Sequence, residues 1–401
     1  MLIEKIPLSL TKGEHKCSVY LATFCLWSML ARFSVYATPR GGVFIYGSYI
    51  IVFLLLYLSK RNLFDKKNTK YFFYVLLPFA FAYSCSYFVN GIMVEATPFL
   101  MLFFASTFVL FNDKIKTRAL DIFIRYLAII LFLSLIEYLF TIFTGVIFSI
   151  GTVHNGNDLI KLTFNNGIFN LFLLYQGDMF RFQSLATEPG LIGTLCGFLI
   201  YIVSDIKEYK YAYYIFWISG ILSFSLAFYI IAAIQISSKF NFKYIVVIAI
   251  ICFFAYHYMP DFFEEHIVSR ISGDEHGDNR SSVELDFMLA KSFEDGSLWL
   301  GNGYRSYDSF VSKGVAGAKP WIYQYGIVAV VLLFISYMYV FIDYSKKKGI
   351  HFMSYLIFLF VFTISFYQRQ TVDTPYTVIA YFATPCIWMY KKKYRKNLFL
   401  V

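Results

Sequence analysis

The chain has 401 residues, of which 59% are hydrophobic and only 15% are charged. Soluble domains carry about 25% charged residues, which excludes a single soluble globule and points to a protein that lives in a bilayer. The net charge of +10 does not indicate nucleic acid, because the basic residues sit in short clusters between apolar runs, the pattern of cytoplasmic loops in a polytopic membrane protein.

A spanning helix needs about 20 apolar residues. The candidate spans are 17–37, 41–58, 71–89, 92–111, 120–149, 189–204, 211–236, 243–259, 320–343, 350–367 and 375–390. Val35-Tyr36-Ala37 weakly resembles a signal-peptidase site, but Arg32 interrupts the segment and further spans follow, so an uncleaved first span is expected. All six cysteines (Cys17, Cys25, Cys85, Cys196, Cys252, Cys386) lie in or beside apolar runs and read as small packing residues, not a disulfide framework.

Lys60, Arg61, Lys66, Lys67 and Lys70 place the connection 59–70 in the cytoplasm, and Lys114, Lys116 and Arg118 do the same for 112–118. The fifth span then delivers 150–188 to the outside. Counted as one span, 211–236 would put Lys346–Lys348 and the terminal Lys391–Lys396 cluster outside. Reading it as two short helices, broken around Gly220–Ser225, restores the positive-inside pattern. Each half is short for a full crossing, so a tilted or thinned hairpin is implied. The expectation is an all-α polytopic membrane protein, a single integral membrane domain over 1–401, with about 12 transmembrane helices and both termini cytoplasmic. Two large outside loops follow, 150–188 and 260–319. The centre of the first, Ile168 to Tyr175, is apolar and is expected to lie along the membrane surface.

Four ionisable residues fall within spans: Arg32, Glu95, Arg125 and Glu137. Charge at that depth is a functional hypothesis by default. Arg125 lies about one turn into its span and can snorkel. Arg32 and Glu95 stand near outer ends. Glu137 is deepest, and an ion pair, a neutral hydrogen-bonded acid and a role in chemistry are all open readings.

The loop 260–319 carries 11 of the 25 acidic residues, together with Arg270, Arg280 and Arg305. It is longer than a connection needs, which marks functional or disordered loops. Helix-spaced apolar residues (Val283, Leu285, Phe287, Leu289, Phe293) favour an ordered segment that forms part of an active site.

Three constellations carry chemistry. Arg181 precedes Glu188-Pro189-Gly190, where Pro189 suits a first helical turn and the helix's positive end favours the Glu188 carboxylate. A plain helix cap with an interfacial Arg is the plainer reading. Arg270 and Arg280 precede Gly301-Asn302-Gly303-Tyr304-Arg305; arginine binds phosphate bidentately, and the glycines permit a tight turn. The plainer reading is a charged surface loop. Gln368 and Arg369 lie in a very short outside loop and could be a simple interface anchor. The acidic cluster around His266 and His276 has no helical His pair and no EF-hand, since Leu285 falls twelfth from Asp274, so no metal is expected. No Ser-His-Asp, GxGxxG or Walker signature is present, and no cofactor is called for.

In order and context these motifs resemble the bacterial O-antigen polymerase and ligase superfamily of membrane glycosyltransferases, over roughly 175–375. The shared layout is an Arg, then Glu-Pro entering a span, paired arginines, a Gly-x-Gly turn, a Gly-bearing span (Tyr325-Gly326-Ile327) and a late Gln-Arg pair. The ligase branch places a catalytic His after the Gly-x-Gly turn, but Arg305 to Trp321 holds none. That departure favours the polymerase branch, often called Wzy.

The resemblance implies polymerisation of undecaprenyl-pyrophosphate-linked oligosaccharides at the periplasmic face of the inner membrane. Glu188 would act as base and Arg280 would stabilise the leaving pyrophosphate. Arg181, Arg270, Tyr304, Arg305, Gln368 and Arg369 would bind substrate. The bilayer is a partner, and a chain-length regulator and a flippase are candidate protein partners. The rivals are an O-antigen ligase, a lipid-linked oligosaccharide flippase or other transporter, and a structural scaffold. A transporter should put polar residues at mid-membrane in broken helices.

Overall fold

The computed structural model describes residues 10–34, 63–155 apart from 148, 162–169, 172–174, 181–186, 188–204, 206–238, 282–310, 317–368 and 374–390. The expected spans 41–58 and 243–259 lie outside the described residues. Those residues are mostly helical: α1 (Lys12–Ser34), α2 (Thr69–Phe88), α3 (Ala96–Phe108), α4 (Asp113–Thr144), α5 (Pro189–Val203), α6 (Lys210–Leu222), α7 (Leu226–Ser238), α8 (Val283–Glu294), α9 (Ala318–Lys347), α10 (Phe352–Gln368) and α11 (Pro375–Phe382). Three described helices are long and apolar enough to cross a membrane: α2 with the turn before it, α4 and α9.

The helices form a bundle with two unlike ends. At one end Ser18 of α1 donates to the Ile115 carbonyl of α4 (3.3 Å), Lys70 of α2 pairs with Asp343 of α9 (2.6 Å), and Tyr344 of α9 meets Cys386 (3.2 Å). The starts of α1, α2 and α4 and the end of α9 therefore gather at this lysine-rich end. Between the ends, Tyr337, Phe341, Phe358, Phe362 and Tyr381 stack across α9, α10 and α11 as a buried aromatic core.

The segment 211–236 divides into α6 and α7 at Ser223–Ser225, where Phe224 takes a left-handed φ of 47°. The chain reverses there. Near the start of α6 the Tyr209 hydroxyl donates to Asp121 (2.7 Å), and at its end Ser223 and Ser225 lie against Gly193 in the first turn of α5. From there α7 runs back beside α5, with Ile231 on Gly197 and Gln235 Nε2 donating to the Ile200 carbonyl (3.0 Å). A Cβ at Gly193 would fall 2.3 Å from the Ser225 Cβ, so this close crossing needs glycine.

One of the charges read within spans gains a partner here. Arg125 does not simply snorkel: its Nε donates to Asp121 (2.6 Å), a fully buried carboxylate that Arg118 and Tyr209 also meet. Such a carboxylate is tolerable in a low-dielectric interior only when donors surround it.

The loop 150–188 carries regular structure that the sequence did not announce. β1 (Gly151–Asn155), β2 (Leu162–Asn166) and β3 (Phe172–Leu174) form a three-stranded antiparallel sheet, with Val153 opposite Phe164 and Asn165 opposite Leu173. The small sheet is an addition to the all-α expectation, and Glu137 anchors it. Buried on α4, its carboxylate accepts from the backbone N–H groups of Ile168 (2.8 Å) and Phe169 (2.9 Å), and Ser134 donates to the Phe169 carbonyl (2.7 Å). Glu137 thus clamps the β2–β3 turn. Glu137→Gln swaps one acceptor oxygen for a donor facing an N–H, and should lower stability by about 1–3 kcal/mol. Thermal unfolding in detergent measures the loss, and proteolysis within 150–180 should quicken.

Candidate functional site

The described motif residues, Arg181, Glu188 and Gly301–Arg305, fall at the end of the bundle opposite the lysines. Residues 181–186 thread between α4 and the α6–α7 turn. The Phe182 N–H donates to the Leu222 carbonyl (2.9 Å), the Phe182 ring lies against Tyr138 (5.3 Å), and Ser184 donates to Ser134 (2.8 Å). Arg181 Nε and Nη2 donate to the Ser223 carbonyl (3.1 and 3.0 Å), and Nη2 also to the Phe224 carbonyl (2.9 Å). A cation there satisfies the open carbonyls at the C-terminus of α6 and meets the negative end of its dipole. Arg181 therefore clasps the turn that faces α5, whatever else it binds.

That clasp sets the entry to α5. Glu188 is its N-cap residue, extended at φ −145°, and Pro189 takes the first helical position. The carbonyl of Glu188 accepts from Leu191 N–H (3.1 Å), but its side chain makes no capping bond and is exposed. The residue stands exposed at the helix's positive end.

The second constellation is built on a break in α9. Gly326 has φ 86° and ψ 159°, which stops the helix hydrogen-bond ladder and frees carbonyls on its N-terminal side. The Gly301 turn supplies the missing donors: Asn302 N–H to the Tyr323 carbonyl and Gly303 N–H to the Gln324 carbonyl, both 2.9 Å. Asn90, past the end of α2, donates to the Gly301 carbonyl (3.1 Å), and Ser86 accepts from Tyr304 N–H (2.9 Å). Two backbones here touch without side chains between them.

Tyr304 and Arg305 emerge from this lock. Gln324 Oε1 accepts from Arg305 N–H (2.9 Å) and holds Arg305 at a left-handed φ of 56°. Its guanidinium pairs with Glu95 (2.9 Å) and with Asp308, and the Tyr304 hydroxyl donates weakly to Glu95 (3.4 Å). The hydrogen bond to Asp308, then that to Glu95, raise the Arg305 pKa further. Burial, then the Glu95 charge, push the Tyr304 phenol well up, so it stays a donor. The pair is open to water, with side-chain exposures of 46% and 51% for Arg305 and Glu95.

Arg270, Arg280, Arg369, the Gln368 side chain and the acidic cluster around His266 and His276 lie outside the described residues. Among the described residues no group of three His, Cys, Asp or Glu could hold a metal ion. Sequence reading missed Asp308 and Gln324 as partners of Arg305. It had noted Glu95 only as a charge at the end of a span; the nearby Asn90-Gly91 turn before α3 is the signal that could have placed it. No protein-family model matches the chain, and no curated protein matches its sequence.

Proposed function

We propose that the chain is a bacterial inner-membrane glycosyltransferase that polymerises undecaprenyl-pyrophosphate-linked oligosaccharide repeat units at the periplasmic face. The observation that carries this reading is the exposed Glu188 carboxylate at the start of α5, on the same end of the bundle as the exposed Arg305. The lysine-rich end is cytoplasmic by the positive-inside rule. With the spans 41–58 and 243–259 and the α6–α7 hairpin, this gives twelve crossings with both termini inside.

In the proposed step, a hydroxyl at the far end of one lipid-linked repeat unit attacks the first sugar carbon of the growing chain. The bond from that carbon to the pyrophosphate oxygen breaks, and pyrophosphate leaves on its lipid. Glu188 takes the hydroxyl proton. Arg280, with Arg270, Arg305 and Arg369, stabilises the leaving charge, the role a divalent ion fills elsewhere. Arg181 holds the turn beside Glu188. Tyr304 and Gln368 bind the glycan or its phosphates. A second reading, a lipid-linked oligosaccharide transporter, draws support from the α9 break, since transporter sites use interrupted helices. The Gly301 turn already fills the groups freed by that break, which favours the enzyme.

The test is polymerisation of a synthetic lipid-pyrophosphate repeat unit by the purified protein. Longer products, formed equally in EDTA, are expected. A product ladder that never exceeds the input, with transbilayer movement of the same lipid, would replace the enzyme by the transporter. Orientation is checked separately in intact cells. A membrane-impermeant thiol reagent should label Ser309→Cys but not Lys346→Cys, both at exposed positions. Labelling of Lys346→Cys alone reverses the topology.

A further inference from the structure

We infer that α8 is a membrane-surface helix that seats an apolar stripe in the headgroup–acyl boundary of the bilayer. The inference stands apart from the proposed chemistry. α8 begins at Ser282, whose hydroxyl accepts from Leu285 N–H (3.1 Å), and it has two apolar sides. Leu285, Met288 and Leu289 pack inward on Tyr323 and Phe310. On the opposite side Val283, Phe287 and Ala290, at i, i+4 and i+7, face outward, and Val283 and Phe287 are 74% and 67% exposed.

Height decides what covers that stripe. From the break at Gly326 to Lys347, α9 is about 31 Å long, which matches a hydrocarbon core of about 30 Å. Gly326 therefore marks the membrane boundary. The Gly301 turn is bonded to that break, and the single helical turn Ser297–Trp299 joins it to α8. α8 is thus tied to the boundary through a few residues. The apolar surface is also continuous: Trp299 and Leu300 are exposed next to the Asn90–Gly301 contact, where Phe88 at the end of α2 and Met93 in the connection to α3 are exposed as well. Aromatic residues at this height belong to the interfacial belt of a spanning protein. A helix with charged flanks (Glu284, Lys291, and Asp286 paired with Lys319 at 2.8 Å) and a narrow apolar stripe suits that plane. Seated this way, α8 fixes Tyr304 and Arg305 at the level of lipid headgroups.

The experiment is depth measurement by power-saturation EPR on the full chain in nanodiscs of phosphatidylethanolamine and phosphatidylglycerol. Nitroxides are placed at Phe287→Cys, Val283→Cys and Lys291→Cys, all exposed positions that tolerate a label. Labels at 283 and 287 should lie about 5–10 Å below the phosphates, oxygen-accessible and shielded from an aqueous nickel chelate, with the 291 label at or above them. Equal nickel access at 287 and 291 puts the stripe in water and overturns the inference. Shielding of 287 from both agents, with dipolar broadening between labels, assigns the stripe to a second copy of the chain and overturns it too. If labelled chains incorporate poorly, brominated lipids test the unlabelled stripe. Their quenching of Trp299, read as the difference between parent and Trp299→Phe, supports the seat, and no difference removes it.

Discussion

Gly326→Ala is expected to destabilise the protein strongly for a single methyl addition. A Cβ at Gly326 would fall 2.5 Å from the Trp299 carbonyl oxygen and 2.6 Å from the Gly301 nitrogen. These are backbone atoms, anchored by the hydrogen bonds of Asn302 and Gly303, so they cannot swing aside. The backbone at φ 86° and ψ 159° is also one that only glycine adopts easily. Strain and overpacking together give a loss of about 2–6 kcal/mol. Gly301→Ala should behave alike, because its Cβ would meet the Gln324 oxygen at 2.4 Å. The two share one contact, so the double variant should lose clearly less than the sum. Thermal unfolding in detergent reads all three. Losses within about 0.5 kcal/mol of zero, the range of ordinary surface changes, would show that the two backbones do not touch in solution.

Glu188→Gln is expected to abolish turnover while leaving donor binding in place. The substitution keeps shape and most hydrogen bonding but cannot take a proton. Loss of a general base typically lowers the rate about 10²–10⁴-fold. The substitution is isosteric at an exposed N-cap position, so the fold should be unchanged. Arg280→Ala provides the contrast: it should weaken donor binding and cut the rate roughly 10²–10³-fold. Arg280→Lys keeps charge but loses the planar fork, and should fall between. The measurement pairs donor binding with polymer formation at matched expression. Normal polymerisation by Glu188→Gln returns Glu188 to a helix terminus with no catalytic part.

Charge and local pattern made some of this architecture legible. The break between α6 and α7 was announced by Lys346–Lys348 and the Lys391–Lys396 cluster, which one span over 211–236 would have put outside, and it was placed around Gly220–Ser225. Pro189 after Glu188 marked the start of α5, because proline suits a first helical turn. What escaped was set by distant partners. The carbonyls that Arg181 clasps lie 42 and 43 residues away, and the Arg305–Glu95 pair spans 210. The run 320–343 gave no hint that Gly326 breaks it, since the donors that make the break tolerable come from the Gly301 turn. The sheet in 150–188 was hidden because its strands are short and the clamp holding them, Glu137, belongs to a preceding helix.

In the proposed topology the α6–α7 hairpin also sets a relation between the protein and the thickness of its membrane. From Lys207 to the end of α6 the chain rises about 24 Å, some 6 Å less than an average hydrocarbon core. Tyr211, Tyr214, Ile218 and Ile221 make its outer face exposed and apolar, so lipid tails meet this short wall directly. Neighbouring acyl chains must compress to match it, at fractions of a kcal/mol per Å, or about 1–3 kcal/mol in all. In that topology the bilayer is dimpled beside the α5 entry where Glu188 stands. Short or disordered tails relieve that elastic strain and long saturated ones add to it, which makes acyl-chain length a determinant of how firmly this corner of the bundle is held.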